Sequence, residues 1–266
     1  MLENTELEIT DVIHESAYKI PKASVAYGNY KGAEVIVKTG GEELARESDI
    51  LRNIDDTRIP AVIDFRSNPD GTNRLILNKL TGTPLDQYIR LQPDWRSNPL
   101  DKHEAIRIVM GLSACFSALK NAGFLYRDLN LGHILVGSDT VGLVDHEWDI
   151  AISATGSGVV DSLAGTWETM APEEYMIGNS ITETSNVYTL GSVLLQLISG
   201  KSPFYIPKEN EPDDEKRRAA TLQLMEIFPG VNTGEAKLDE VINTSLQWSS
   251  IERYKSVDDF RNALSA

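Results

Sequence analysis

The sequence predicts an α+β fold in two unequal lobes: a small antiparallel β-sheet lobe with one helix over about residues 8–80, and a larger, mostly helical lobe over about residues 81–266. Two observations carry this. Up to Leu80 apolar and polar residues alternate in short runs broken by turn residues, which is the two-residue period of half-buried strands. From LDQYIR onward the apolar residues recur every three to four positions, the period of helices packed along one face.

In chain order, alternation over residues 8–17, 24–30 and 33–39 predicts a three-stranded meander. Residues 42–54 follow as an amphipathic helix, with Leu44, Ser48, Leu51 and Ile54 on one face. Two further strands, IPAVIDF and RLILNKL, flank the turn NPDGTN, whose Pro-Asp-Gly sequence supplies both a fixed φ and a residue free to adopt a positive one. The small lobe then ends near a hinge at residues 78–80. Residues 105–122 carry Ile106, Val109, Leu112, Cys115 and Leu119 at helical spacing. The run HILVGSDTVGLVD reads as a short hairpin turning at residues 137–140, and helices are predicted over 185–199, 214–225, 237–248 and 256–264.

Composition narrows the function. With 25 basic against 40 acidic side chains the net charge is −15, which argues against nonspecific binding to nucleic acid or to an acidic membrane surface. A single cysteine, Cys115, rules out a disulfide within the chain and reads as a core residue. No apolar run reaches the roughly 18 residues that span a bilayer, and the longest candidate, residues 188–198, reads as a buried central helix. An acidic N-terminus argues against a secretory signal. The expected location is cytoplasmic, either as a whole protein or as the cytoplasmic domain of a longer one. The mixed-charge stretch ENEPDDEKRR reads as an exposed loop leading into a helix.

The chemistry concentrates in YRDLNLGHILV, residues 126–136, and VDHEWD, residues 144–149. Upstream, AEVIVKTG places Lys38 at the end of an apolar alternating run, and Glu47 lies in the helical stretch RESDILRNI. Downstream stand GTWETMAPEE, the apolar SNVYTLGSVLLQLISGKSPF and the terminal ERYKSVDDF. In this order the pieces resemble the eukaryotic-like protein kinase superfamily over roughly residues 10–264. The resemblance implies one kinase-like domain over residues 1–266. It implies Asp128 as the catalytic base, Lys38 as the phosphate-pairing lysine with Glu47 as its partner, and Asp145 as a metal ligand. Leu77 falls at the back of the nucleotide pocket and Asn78 at the hinge. Glu173 and Arg253 are expected to form an ion pair anchoring the activation segment.

Several positions depart from the family pattern. Where it has the glycines of a phosphate-covering loop, this sequence has Tyr18, Ile20 and Ala23, with Pro21 between them; the segment reads as a stiff turn that joins two strands, the alternative being a turn over nucleotide with Lys19 or Lys22 reaching phosphate by a side chain. Asn130 replaces the lysine that neutralises the transferring phosphoryl group, and His133 replaces the metal-binding asparagine, offering nitrogen where magnesium prefers oxygen. Glu147 and Asp149 are expected to add carboxylates beside the pocket. Tyr126 replaces the usual histidine before Arg127, and Asn186 replaces an aspartate, keeping the capacity to accept a hydrogen bond from the catalytic-loop backbone. Ser153, Thr155, Ser157 and Ser162 are candidates for phosphorylation. The losses fall on groups that touch phosphate or metal, so the expected function is that of a pseudokinase, a regulatory or protein-interaction module with absent or weak phosphotransferase activity. No cofactor is then expected, and the partner is a protein. The alternative is a divergent, active serine/threonine-type kinase using ATP with Mg²⁺ or Mn²⁺; a third reading turns nucleotide or metal chemistry on a non-protein substrate.

Overall fold

The computed structural model describes residues 7–15, 23–90, 99–146, 149–163, 165–202 and 204–266. The small lobe is a five-stranded sheet of β1 (Leu7–Glu15), β2 (Ser24–Tyr30), β3 (Ala33–Gly40), β4 (Val62–Ser67) and β5 (Asn73–Asn78), in the order β1-β2-β3-β5-β4 with every pair antiparallel. Tyr30, Val35, Val37 and Ile76 form a core of their own on one face. Helix α1 (Glu43–Leu51) packs on the sheet through Leu44 and Leu51, and Glu47 and Ser48 fall on the same buried stripe by the i, i+3, i+4 rule. The helix stops short of the expected Ile54 because Asn53 and Ile54 bond back only three residues, to Ile50 and Leu51, which tightens the last turn. β1 does not show the half-buried alternation predicted for it. Bulges between Ile9 and Asp11 and between Val12 and His14 break its register at the sheet edge, leaving Ile9, Val12 and Ile13 exposed.

The large lobe contains β6 (Thr83–Pro84), α2 (Leu85–Arg90), α3 (Lys102–Asn121), β7 (Phe124–Leu125), β8 (Ile134–Val136), β9 (Val141–Leu143), β10 (Ile150–Ala151), β11 (Ser157–Val159), β12 (Ser180–Thr182), α4 (Glu183–Ser199), α5 (Asp214–Glu226), α6 (Ala236–Ser245) and α7 (Val257–Ser265). Asp101 caps α3 by accepting from the His103 amide. Helix α4 is the central element: Val187, Tyr188, Leu190, Val193 and Leu194 are fully buried, and it ends at Gly200, whose φ of 73° glycine adopts without strain. Helix α3 and β9 meet so closely that a Cβ on Gly111 would stand 2.6 Å from the Val141 side chain. Cys115 lies in this contact, fully buried, with its thiol pushed up to about 12 by burial. Among the described residues no helix is long and apolar enough to cross a membrane.

The hairpin β8–β9 carries the catalytic-loop residues before it and Val144–Asp145 after it, so its pairing sets the two segments side by side. Arg253 is buried against the Tyr188 ring, 4.8 Å from its centroid, and pairs both ways with Glu173 at 2.7 and 2.9 Å.

Candidate functional site

Lys38 sits on β3, paired across the sheet with Val25 and Leu75, which fixes its side chain toward α1. Its ammonium lies 2.6 and 2.8 Å from the two oxygens of Glu47 and 2.8 Å from Asp145 Oδ1. Burial alone would lower the Lys38 pKa, but the charges of Glu47 and Asp145 outweigh it and hold the amine above its ordinary value. Burial likewise opposes ionisation of Asp145, and the Lys38 ammonium, by charge and hydrogen bond, overcomes it, keeping that carboxyl below the usual carboxylate range. Glu47, fully buried, also accepts from the His146 amide at 3.2 Å.

Two site aspartates adopt the left-handed backbone conformation, Asp128 at φ 58° and Asp145 at φ 70°. Such strain in non-glycine residues persists only where the surroundings impose it, and it marks functional loops. Asp128 Oδ1 accepts from the Thr166 hydroxyl at 3.0 Å. Tyr126 stacks on Phe116, meets the His146 ring edge-on, and donates to the Val144 carbonyl at 2.9 Å.

The exchanged residues form a network of their own. Asn130 Oδ1 accepts from the Gly132 amide at 2.8 Å, which turns its NH₂ to within 2.6 Å of His133 Nε2. His133 Nδ1 lies 3.0 Å from the Asp128 carbonyl oxygen. The hydrogen-bond pattern therefore assigns the hydrogen to Nδ1, leaving Nε2 as acceptor for Asn130. Nε2 also stands 3.2 Å from Asp145 Oδ2. Of the Asp145 oxygens, Oδ1 is thus bonded to Lys38 while Oδ2 faces the acceptor nitrogen of His133 with no hydrogen between them, and the amide oxygen of Asn130 is spent on its own turn. Such a donor set does not fit a pair of magnesium ions, which demand several oxygens in octahedral arrangement. Among the described residues no group of three or more His, Cys, Asp or Glu side chains is placed to hold a metal ion; of the donors at this position, an imidazole nitrogen suits manganese better than magnesium.

The structure thus brings Lys38, Glu47 and Asp145 into one bonded group and Asn130, His133 and the Asp128 carbonyl into a second, the two meeting where His133 faces Asp145. Leu77 is buried in the sheet–helix core, and Asn78 closes on Ala61, accepting from its amide at 2.6 Å and donating to its carbonyl. Tyr18, Lys19, Ile20, Pro21, Lys22 and Glu147 lie outside the described residues.

Two expectations are corrected. Asp149 does not face the pocket: it is buried, 2.7 Å from His146 Nδ1, and accepts from the Arg127 amide at 3.3 Å. Burial pushes its carboxyl up to about 6, against the pull of His146. Asn186 donates to the Tyr126 carbonyl at 2.8 Å instead of accepting from a backbone amide, because its NH₂ group is turned toward the catalytic loop. Sequence reasoning passed over His146, which is fully buried at the centre of these contacts. Its signal was a histidine and an aspartate three residues apart immediately after Asp145. Arg127, also buried, donates to the Ser162 carbonyl at 3.0 Å and lies 3.4 Å from Glu174.

The protein kinase domain family matches this chain over residues 23–262. Among curated proteins the chain is similar to the probable serine/threonine-protein kinase PknB of Lactococcus lactis, 28% identical over 131 residues that cover 49% of this chain and 20% of that protein. It is similar also to the serine/threonine-protein kinase PknD of Mycobacterium tuberculosis, 26% identical over 222 residues covering 81% of the chain and 31% of PknD. The serine/threonine-protein kinases drp72 of Corynebacterium efficiens is 22% identical over 263 residues, 91% of the chain and 47% of that protein. The matched region spans a fifth to a half of these relatives' own length.

Proposed function

The chain belongs to the protein kinase family, and from that premise we propose that it is a pseudokinase, a regulatory module that works by presenting a surface to a protein partner, with absent or weak phosphotransferase activity. The observation that carries this reading is the bonding of His133. Its Nε2 takes the Asn130 amide at 2.6 Å and faces Asp145 at 3.2 Å, so the nitrogen standing in the metal-binding position is occupied by the residue that stands in place of the phosphate-neutralising lysine. Asn130 brings no positive charge to the place where charge develops, and loss of one such electrostatic stabiliser costs on the order of two to three powers of ten in rate.

A second reading, an active serine/threonine-type kinase, has one specific observation in its favour. Lys38, Glu47 and Asp145 are in contact, and Asp128 is oriented by Thr166, as transfer would require. A lysine–glutamate pair is equally a structural strut, which is why the first reading is preferred.

Equilibrium titration with Mg²⁺-ATP separates the two. The expected result is weak or undetectable binding and no thermal shift, since a ligand bound to the folded state must raise its stability by mass action. Micromolar or tighter affinity, with phosphate transfer to a protein substrate, overturns the pseudokinase reading.

A further inference from the structure

Two arginines from different lobes converge on one carboxylate. Arg46 lies on α1, immediately before Glu47; it donates to the Asp149 carbonyl at 2.8 Å, and its other nitrogen stands 3.5 Å from Asp161 Oδ2. Arg127 of the catalytic loop, bonded to the Ser162 carbonyl, stands 3.5 Å from Asp161 Oδ1. Each oxygen of Asp161 therefore answers one lobe, although its side chain is 53% exposed.

The position of Arg46 gives this contact leverage. Successive residues on a helix point about 100° apart, so a restraint on Arg46 fixes the rotation of α1 about its axis, and that rotation aims Glu47 at Lys38. The apolar face of α1 holds the helix to the sheet through Leu44 and Leu51, in a core that continues into the large lobe, but contacts of this kind carry no directional restraint on the helix's rotation. Arg46 reaches across to the segment after Asp145, through the Asp149 carbonyl and Asp161, as Lys38 and the His146 amide reach across on the buried side. Anionic groups set opposite an arginine cluster order mobile segments in this way when they are added as phosphate.

We infer that Asp161 is a built-in anionic clamp: by pairing Arg46 of α1 with Arg127 of the catalytic loop it holds the Lys38–Glu47 pair closed on the large lobe, with no phosphate needed on the segment. Asp161 is a positioning residue, and the clamp operates whether or not the domain transfers phosphate.

Hydrogen exchange of the full chain, followed over residues 43–51 with α4 as internal reference, tests this. Asp161→Asn, which keeps shape and loses charge, should speed exchange in α1 by roughly fivefold, the effect expected of surface ion pairs, and leave α4 unchanged. Asp161→Glu should restore protection. Arg46→Ala combined with Asp161→Asn should add little to either change alone. In the unaltered protein 0.5 M salt should reproduce the effect of Asp161→Asn, which needs no variant to fold. Unchanged α1 exchange in Asp161→Asn, an equal rise in α4, additive single effects, or α1 protection indifferent to salt would each overturn the clamp.

Discussion

At the scale of single residues, His133 in the proposed reading is tested by the choice of cation. Its imidazole nitrogen replaces an oxygen donor, and nitrogen is an acceptable ligand for manganese but a poor one for magnesium. Any nucleotide-dependent thermal shift should therefore be larger with Mn²⁺ than with Mg²⁺, and His133→Asn should reverse the order. Equal shifts with both cations, unchanged in His133→Ala, would remove the role assigned to the ring. Glu174 gives a second test at this scale. Burial pushes its carboxyl up from 4.5 to about 7, opposed by the Ala171 amide and Arg127. Between these values the folded state binds more protons than the unfolded one, so this group's contribution to stability falls as pH rises from about 4.5 to about 7. Glu174→Gln keeps an acceptor for Ala171 and removes the titration. Its stability relative to the unaltered protein should rise across that window, by about 1–3 kcal/mol at pH 8. Parallel pH profiles for the two proteins would show that Glu174 ionises freely.

At the scale of elements, close approach sets the tolerances. Helix α3 lies so near β9 that the missing Cβ of Gly111 is part of the packing. Gly111→Ala should destabilise by about 1–3 kcal/mol through overpacking, outweighing the better helix propensity of alanine, and a urea midpoint measures it. The elements themselves were largely legible in the sequence, because β2 and β3 show alternation, α3 carries a 3.6-residue stripe, and α4 is a long apolar run ending in the punctuation of Gly200. What local pattern did not give is tertiary in origin. Bulges at the sheet edge took β1 out of its expected burial, and no periodicity announces a bulge. The candidate site was legible as residue identities in a known order, and Lys38, Glu47 and Asp145 meet in space as those identities suggested. The inward turn of Asp149 toward His146, and the convergence of two arginines on Asp161, depend on chain paths that bring distant segments together, which spacing in sequence does not encode.

For the molecule as a whole, the proposed function separates architecture from catalysis, and two substitutions probe them independently. Glu173 is bonded to Arg253 at two atoms and to the Ser185 hydroxyl at 2.6 Å, and Arg253 reaches in turn to the carbonyls of Thr184, Gln247 and Trp248. This cluster ties the end of the activation segment to α4 and to the loop after α6. Breaking a buried pair on one side leaves the other charge uncompensated and typically costs about 3–5 kcal/mol. Asp128→Asn, by contrast, retains an oxygen for the Thr166 hydroxyl and places at φ 58° a residue that tolerates that conformation well. Its stability should change by no more than about 0.5 kcal/mol. A module that acts by its surface should consequently lose both stability and biological role in Glu173→Ala and keep both in Asp128→Asn, whereas an enzyme should lose its role in each. The decisive result is an Asp128→Asn protein that melts like the unaltered one yet fails in cells: surface presentation has no account of that, and transfer from Asp128 does.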